Sequence, residues 1–360
     1  MISRLLPRIR DGAALTREEA AAAVRSMMRG EAEDRDIAEF LTLLAKRGET
    51  DDELLGGAEA LRAEAIPFPG GRGALLDTCG TGGDASGSFN ISTAVAFVVA
   101  AAGVPVAKHG NRSVSSRCGS ADLLEALGAS IDLAPDQAAR VLDEAGFTFL
   151  YARRYHPAMK RVAAVRQSLG IRTLFNWLGP LANPARASHQ LLGVPDGRRA
   201  EGVARVLAGL GVTRALVVHG AGGLDELALA PGNVAFETGS GNAGGRSAGG
   251  TGGAGAGSVG ATVVARTIDP GQLALSFAPL EALRGGDAGR NAAILRAIFA
   301  GEGGPPREAV VLNAAAALWI AGKRETLEAA ARLAEEMLDS GEAARALDRY
   351  VAASRREGAA

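Results

Sequence analysis

Cysteine is almost missing from this chain, and so are net charge and long hydrophobic runs. Two cysteines in 360 residues, Cys79 and Cys118, make no disulfide framework. They fit a reducing, cytoplasmic setting. Lysine plus arginine (39) nearly balance aspartate plus glutamate (40), leaving a formal charge of −1. That balance excludes a global electrostatic drive toward nucleic acid or an anionic membrane, so neither is expected as a partner. The longest apolar stretch, residues 94–106, is about 13 residues long and is interrupted by Gly103 and Pro105, well short of the roughly 20 that span a bilayer. The opening MISRLLPRIRDG returns to charge before any long apolar core forms, so it is not read as a secretory signal. What is present is 47% hydrophobic residues, enough for a sizeable core. The length suits one large or two unequal domains.

The first 65 residues have helical patterning. Thr16 and Glu19, and again Thr50 and Glu53, stand at capping-box spacing, and Gly30 and Gly48 fall where helices would stop. Ile37, Phe40, Leu41 and Leu44 make one apolar stripe. Pro67, Pro69, Gly70 and Gly71 then mark a linker. Beyond it, short apolar runs at 74–78, 104–107, 147–151, 190–194 and 215–218 read as strands. Helical stretches at 93–102, 121–127, 135–145, 157–169 and 198–210 alternate with them. This alternation predicts an α/β domain with a mainly parallel sheet, whose ligands belong at the carboxyl ends of the strands. Residues 239–257 are nearly all small and polar and are expected to form a flexible loop. Strands are expected to flank it at 233–237 and 261–267, and helices return at 309–321 and 327–338.

Three segments carry chemistry. In Leu75-Leu76-Asp77-Thr78-Cys79-Gly80-Thr81-Gly82-Gly83-Asp84 a strand runs into a glycine-rich turn, where backbone N–H groups can approach an anion. Asn90-Ile91-Ser92-Thr93 then opens an apolar helix, placing hydroxyls and free amides at a helix N-terminus. The turn fits neither a Walker A loop nor a dinucleotide fingerprint. Lys108-His109-Gly110-Asn111-Arg112-Ser113 follows the next strand and gathers cations suited to pyrophosphate, with Ser120 expected as the N-cap of the helix beyond. Asp225-Glu226, after the strand at 215–218, offers hard oxygen ligands for Mg²⁺.

These strings, in this order, resemble the anthranilate phosphoribosyltransferase family. The likeness continues through Gly119-Ser120-Ala121-Asp122, His156-Pro157-Ala158-Met159, Val165-Arg166, Gly170-Ile171-Arg172-Thr173 and the run Asn176-Trp177-Leu178-Gly179-Pro180-Leu181-Ala182-Asn183-Pro184. It covers most of the chain. The resemblance implies a small helical domain (1–68, with a later contribution from about 168–188) joined to a larger α/β domain (72–167 and 189–360). It also implies a homodimer formed through the helical domain. The implied reaction transfers the phosphoribosyl group of 5-phosphoribosyl pyrophosphate (PRPP) to the amine of anthranilate, in tryptophan biosynthesis. By motif, Gly80, Gly82, Gly83, Asp84, Asn90, Ser92, Thr93, Lys108 and Ser120 would bind PRPP. Ser92, Asp225 and Glu226 would hold Mg²⁺, two ions per subunit with PRPP bound. Gly80, His109, Asn111, His156 and Arg166 would face anthranilate, with Gly179 and Pro180 shaping its pocket in a loop at 179–184.

The chemistry suits that layout. A guanidinium such as Arg166 recognises a carboxylate through two parallel hydrogen bonds. An arylamine is neutral at pH 7, so the reaction asks mainly for positioning and charge neutralisation, with no dedicated strong base and no catalytic acid–base residue. Cys118 departs from the small hydroxyl residue expected at its place. It donates a weaker hydrogen bond, which puts one phosphate contact in doubt. Two other readings are a pyrimidine nucleoside phosphorylase-like enzyme and a non-catalytic nucleic-acid-binding relative. Arg166 with the 170–173 run disfavours the first; balanced charge and the intact acid pair disfavour the second.

Overall fold

The computed structural model describes residues 1–71, 73–113, 117–239 and 262–359. Four helices come first: α1 (Ile2–Arg10), α2 (Arg17–Arg29), α3 (Asp34–Arg47) and α4 (Asp51–Ala63). Both expected capping boxes form, at Thr16 and Thr50, and Gly30 and Gly48 end α2 and α3. The stripe Ile37, Phe40, Leu41 and Leu44 is the buried face of α3. Glu53 is fully buried. Its carboxylate accepts Leu15 N at 2.9 Å and Thr50 N at 2.8 Å and pairs with Arg47. One charge thus joins the α1–α2 connection to the start of α4.

The chain then alternates: β1 (Leu76–Gly80), α5 (Ile91–Ala101), β2 (Val106–Gly110), α6 (Ser120–Ala126), α7 (Pro135–Ala145) and β3 (Phe147–Tyr151). The short α8 (Ala152–Tyr155), α9 (Lys160–Leu169) and α10 (Leu174–Leu181) follow. Next come β4 (His189–Gly193), α11 (Gly197–Gly209), β5 (Arg214–His219), β6 (Asn233–Gly239) and β7 (Val263–Ile268). Helices α12 (Ala288–Phe299), α13 (Pro305–Ile320), α14 (Leu327–Asp339) and α15 (Glu342–Gly358) complete the described chain. The sheet order is β3-β2-β1-β4-β5-β6-β7. The first five strands in that order are parallel; β6 runs antiparallel to β5, and β7 antiparallel to β6. Strand order reverses between β1 and β4, which opens a crevice at their carboxyl ends.

Apolar residues cover both sheet faces, as a mainly parallel sheet requires. One core packs α5, α7 and the C-terminal helices on the first face. The second core joins β4, β5 and α11 to the helical layer, and includes Phe175, Leu178 and Leu181 of α10. Helix α9 packs on α2 and α3, and α10 packs on α4 and α3. Ala158 and Met159, just before α9, pack on the same core.

Three local expectations differ from the structure. β1 starts and ends two residues later than expected, at Leu76–Gly80, and β2 extends past its expected end at 107 to include Lys108 and His109, polar residues that pattern alone reads as lying beyond the strand. Pairing between the two strands is what allows their burial. Residues 174–181 form a helix where a loop was expected at 179–184, with Pro180 tolerated in the last turn. Gly119, not Ser120, is the N-cap of α6. The small-residue loop expected at 239–257 lies outside the described residues except for Gly239, the last residue of β6. Among the described residues no helix is long and apolar enough to cross a membrane.

Replacing Glu53 with alanine removes the ion-pair partner of Arg47 and the acceptor of two backbone N–H groups. It is expected to cost about 3 kcal/mol of stability, read as a lower denaturant midpoint. A change below about 0.5 kcal/mol would show that this carboxylate holds nothing together.

Candidate active site at the strand carboxyl ends

The crevice at the strand reversal is filled by an acid pair. Asp225 and Glu226 follow β5 and a short turn, and are only 9% and 7% exposed. The Asp225 carboxylate accepts the Gly82 N–H at 2.7 Å. Gly80 and Gly193 are register partners on β1 and β4. A Cβ on either would collide with Asp225, so two absent side chains create its slot. The Glu226 carboxylate accepts the Ser92 N–H at 3.1 Å, at the first turn of α5. Lys108, 2% exposed, donates from Nζ to the Thr78 carbonyl and to Ser92 Oγ at 3.2 Å. The glycine-rich turn, the start of α5, Lys108 and both acids thus meet at one place.

Burial sets the electrostatics. It pushes Asp225 up to about 7, with the charge of Asp84 adding to it. Burial likewise pushes Glu226 up to about 8, with Asp225 adding, and lowers Lys108. Asp77, fully buried, is raised by burial to about 6 against the pull of Lys108. Such a site is short of positive charge. Among the described residues no three His, Cys, Asp or Glu side chains form a complete metal cage. Two carboxylates beside a serine hydroxyl nevertheless suit Mg²⁺, which keeps several waters and takes other ligands from substrate phosphates. The donor set therefore fits that ion.

Beside this site the end of α10 shapes a second pocket. His109 Nδ1 lies 3.2 Å from the Gly179 carbonyl, and His156 Nε2 lies 3.1 Å from the Ala182 carbonyl. A carbonyl only accepts, so His109 carries its hydrogen on Nδ1 and His156 on Nε2. The other ring nitrogens, His109 Nε2 and His156 Nδ1, are buried lone pairs without a partner. Burial lowers His109 to about 3, with His156 adding, and His156 to about 4, so both rings are neutral. Their centroids are 5.1 Å apart. Arg166 on α9 lies over the Phe175 ring at 5.4 Å, its Nε buried and unpartnered. Phe175 and Gly179 are four residues apart on α10, hence on one helix face. A cation over an aromatic ring and two neutral imidazoles thus lie on or against the same short helix.

Known proteins with this sequence pattern point to one family. Residues 72–344 match the glycosyl transferase family, a/b domain, and residues 3–65 its helical bundle domain. The anthranilate phosphoribosyltransferase of Roseiflexus castenholzii is 48% identical, over 94% of this chain and 94% of its own. That of Moorella thermoacetica is 48% identical over 98% of each. The chain belongs to the anthranilate phosphoribosyltransferase family. Among solved structures, the Thermus thermophilus family member superposes with a TM-score of 0.86 at 44% identity, covering 97% of this chain and 99% of that one. The Saccharomyces cerevisiae enzyme, solved with PRPP and Mg, has the same fold at 22% identity and a TM-score of 0.84, covering 99% and 98%.

Against the family motif, the remaining residues divide. Gly82 and Gly83 have positive φ (69° and 77°), which only glycine adopts freely. Asp84 accepts from Ser86 Oγ at 2.6 Å. The side chain of Asn90 is engaged at both ends, donating to the Cys118 carbonyl and accepting from Asn291. Thr93 is fully buried and its hydroxyl has no partner. Asn111 is exposed and turns its side chain to Arg112 N, while Arg112 pairs with Asp122 and Glu125. Ser120 Oγ reaches the Asn111 carbonyl at 3.5 Å. Cys118 is buried, its thiol directed to the Gly119 carbonyl. Gly193, Asp77, Asn183 and Arg172 were assigned no site role from the sequence, although the last three lie in the family-like strings. Asn183 donates to Asp77 at 2.8 Å and to the Ala107 carbonyl. Arg172 donates to the Gly82 carbonyl at 2.5 Å and covers the Trp177 ring. Of these only Asp77 carried a signal, a charge inside an apolar strand.

The raised acids give a pH signature. Between about pH 5 and 8 they keep protons that the unfolded chain has released, so metal-free stability falls as pH rises. The loss is expected to be on the order of 3 kcal/mol. Denaturant melts in chelator should show this slope, Mg²⁺ should stabilise more at pH 8 than at pH 6, and the Asp225→Asn, Glu226→Gln double variant should flatten both. A wild-type profile that rises with pH over this window would contradict the assignment.

Proposed function

We propose that this chain transfers the 5-phosphoribosyl group of PRPP to the amino group of anthranilate, giving N-(5-phosphoribosyl)anthranilate and pyrophosphate in tryptophan biosynthesis. The observation that carries the reading is the meeting of the glycine-rich turn, Ser92, Lys108 and the Asp225–Glu226 pair beside the Arg166–histidine pocket. Mg²⁺, two ions per subunit at Asp225, Glu226 and Ser92, neutralises the pyrophosphate charge when bound. Gly80, Gly82, Gly83 and Asp84 cradle PRPP. Asn90, Ser92, Thr93 and Ser120 bind at its phosphates, Asn90 through its remaining N–H. Lys108 holds the pyrophosphate side.

Arg166 binds the anthranilate carboxylate over Phe175, with Gly80, Asn111, Gly179 and Pro180 bounding the ring. The amine lone pair attacks C1 of the ribose as the C1–O bond breaks, its electrons leaving with pyrophosphate. The lone pairs of His109 and His156 accept hydrogen bonds from the amine and orient it. One amine proton is then lost to water. Positioning and charge compensation carry the rate. The same family resemblance supports a cytoplasmic homodimer joined through the helical layer.

Purified protein given anthranilate, PRPP and Mg²⁺ should lose anthranilate fluorescence. No loss, with phosphorolysis of thymidine instead, would reverse the reading. Arg166→Ala should raise the KM for anthranilate by about tenfold or more, against less than about threefold for PRPP. An equal rise in both would contradict the assigned carboxylate contact. Asp225→Ala with Glu226→Ala should abolish nearly all turnover, and near-normal rates at low Mg²⁺ would rule out metal binding there.

A further inference from the structure

An α-helix leaves its last carbonyls without internal partners. At the end of α10, four successive carbonyls instead face four side chains from four different places in the chain. Gly179 O meets His109 Nδ1 of β2 at 3.2 Å. Pro180 O accepts Gln190 Nε2 of β4 at 2.7 Å. Leu181 O accepts Arg62 Nε of α4 at 2.7 Å, and Ala182 O meets His156 Nε2 at 3.1 Å. Arg62 is the one cation of the four and the one member from the first four helices. Its Nη1 also donates to Leu210 O at 3.2 Å, and Leu210 caps the end of α11. Among the described residues it has no carboxylate within ion-pair distance. The negative ends of two helices stand in for one, and its planar fork reaches both.

We infer that Arg62 is a positioning residue for the aromatic-acid pocket. From the helical layer it holds the last turn of α10, whose adjacent carbonyls fix the ring orientation and tautomer of His109 and His156. The guanidinium touches neither ring. Its effect passes through one helical turn, so losing it should loosen the arylamine pocket while leaving the phosphate side, built on β1, β5 and α5, in place. What the pocket binds rests on the proposed function, whereas the carbonyl clamp itself does not.

The test uses the full chain with Arg62→Met and Arg62→Lys. Arg62→Met should raise the anthranilate KM about tenfold or more and leave the PRPP KM within about twofold. Nitrogen-15 spectra should show the His109 and His156 rings leaving the single-tautomer pattern of the wild type. Arg62→Lys keeps the charge but loses the fork, and should recover part of the anthranilate KM. A parallel rise in both KM values that tracks lost thermal stability would reduce Arg62 to domain glue and overturn the inference; so would unchanged KM values with unchanged ring signals. If Arg62→Met does not fold, Arg62→Lys decides by the same split, and no split overturns the inference. If the wild type consumes no anthranilate, the proposed function fails, and the ring spectra alone decide whether the clamp exists.

Discussion

The seating of one carboxylate organises this molecule. Asp225 occupies a slot that exists because Gly80 and Gly193, partners across the strand reversal, have no side chains. Its carboxylate takes the Gly82 N–H and so shapes the turn. Glu226 does the same for the first turn of α5. Neither acid has an ion-pair partner among the described residues, and Lys108 is the nearby cation whose charge acts on Glu226. A buried excess of negative charge is costly to a fold. It makes sense where a cation arrives with a polyanionic ligand, since binding then relieves the cost.

The second pocket shows how a helical layer and a sheet share one site. Helix α10 packs its apolar face into the helical core, yet its last carbonyls meet side chains of β2 and β4. Arg166, Phe175 and the two histidines lie on or against it, and Arg172 reaches from its start to the glycine-rich turn. Movement of the helical layer would therefore reshape the surroundings of the two histidines directly and the glycine-rich turn through Arg172.

Much of this was legible in the sequence because the signals were local. Alternating strands and helices set the fold class, capping boxes marked α2 and α4, and the glycine-rich turn, Lys108 and the acid pair, which the fold brings together, stood out by residue type. Two kinds of feature were hidden. Lys108 and His109 look like a loop beyond the strand, and the charge of Asp77 looks out of place in one, because their burial depends on partners far away in sequence, Thr78, Asp77 and Asn183 among them. Helix α10 looked like a loop because Gly179 and Pro180 disfavour helix, and the side chains that satisfy its carbonyls come from three other elements and one connecting segment. Gly193 gave no signal, since a glycine at a strand end is ordinary until its neighbour is known. Residue type also says nothing of what the fold has already done with a side chain: that of Asn90 is engaged by Cys118 and Asn291, and the Thr93 hydroxyl is buried.

The most direct test of the acid slot is crystallographic. Crystals grown with PRPP and Mn²⁺ in place of Mg²⁺ locate the ion by its anomalous signal. The account predicts peaks about 2.0–2.3 Å from carboxylate oxygens of Asp225 and Glu226, with the pyrophosphate on the opposite side of the ion, toward Lys108 and Ser92. Strong density for PRPP with the ion elsewhere, or with Asp225 still bonded to Gly82 and no ion near it, would contradict it.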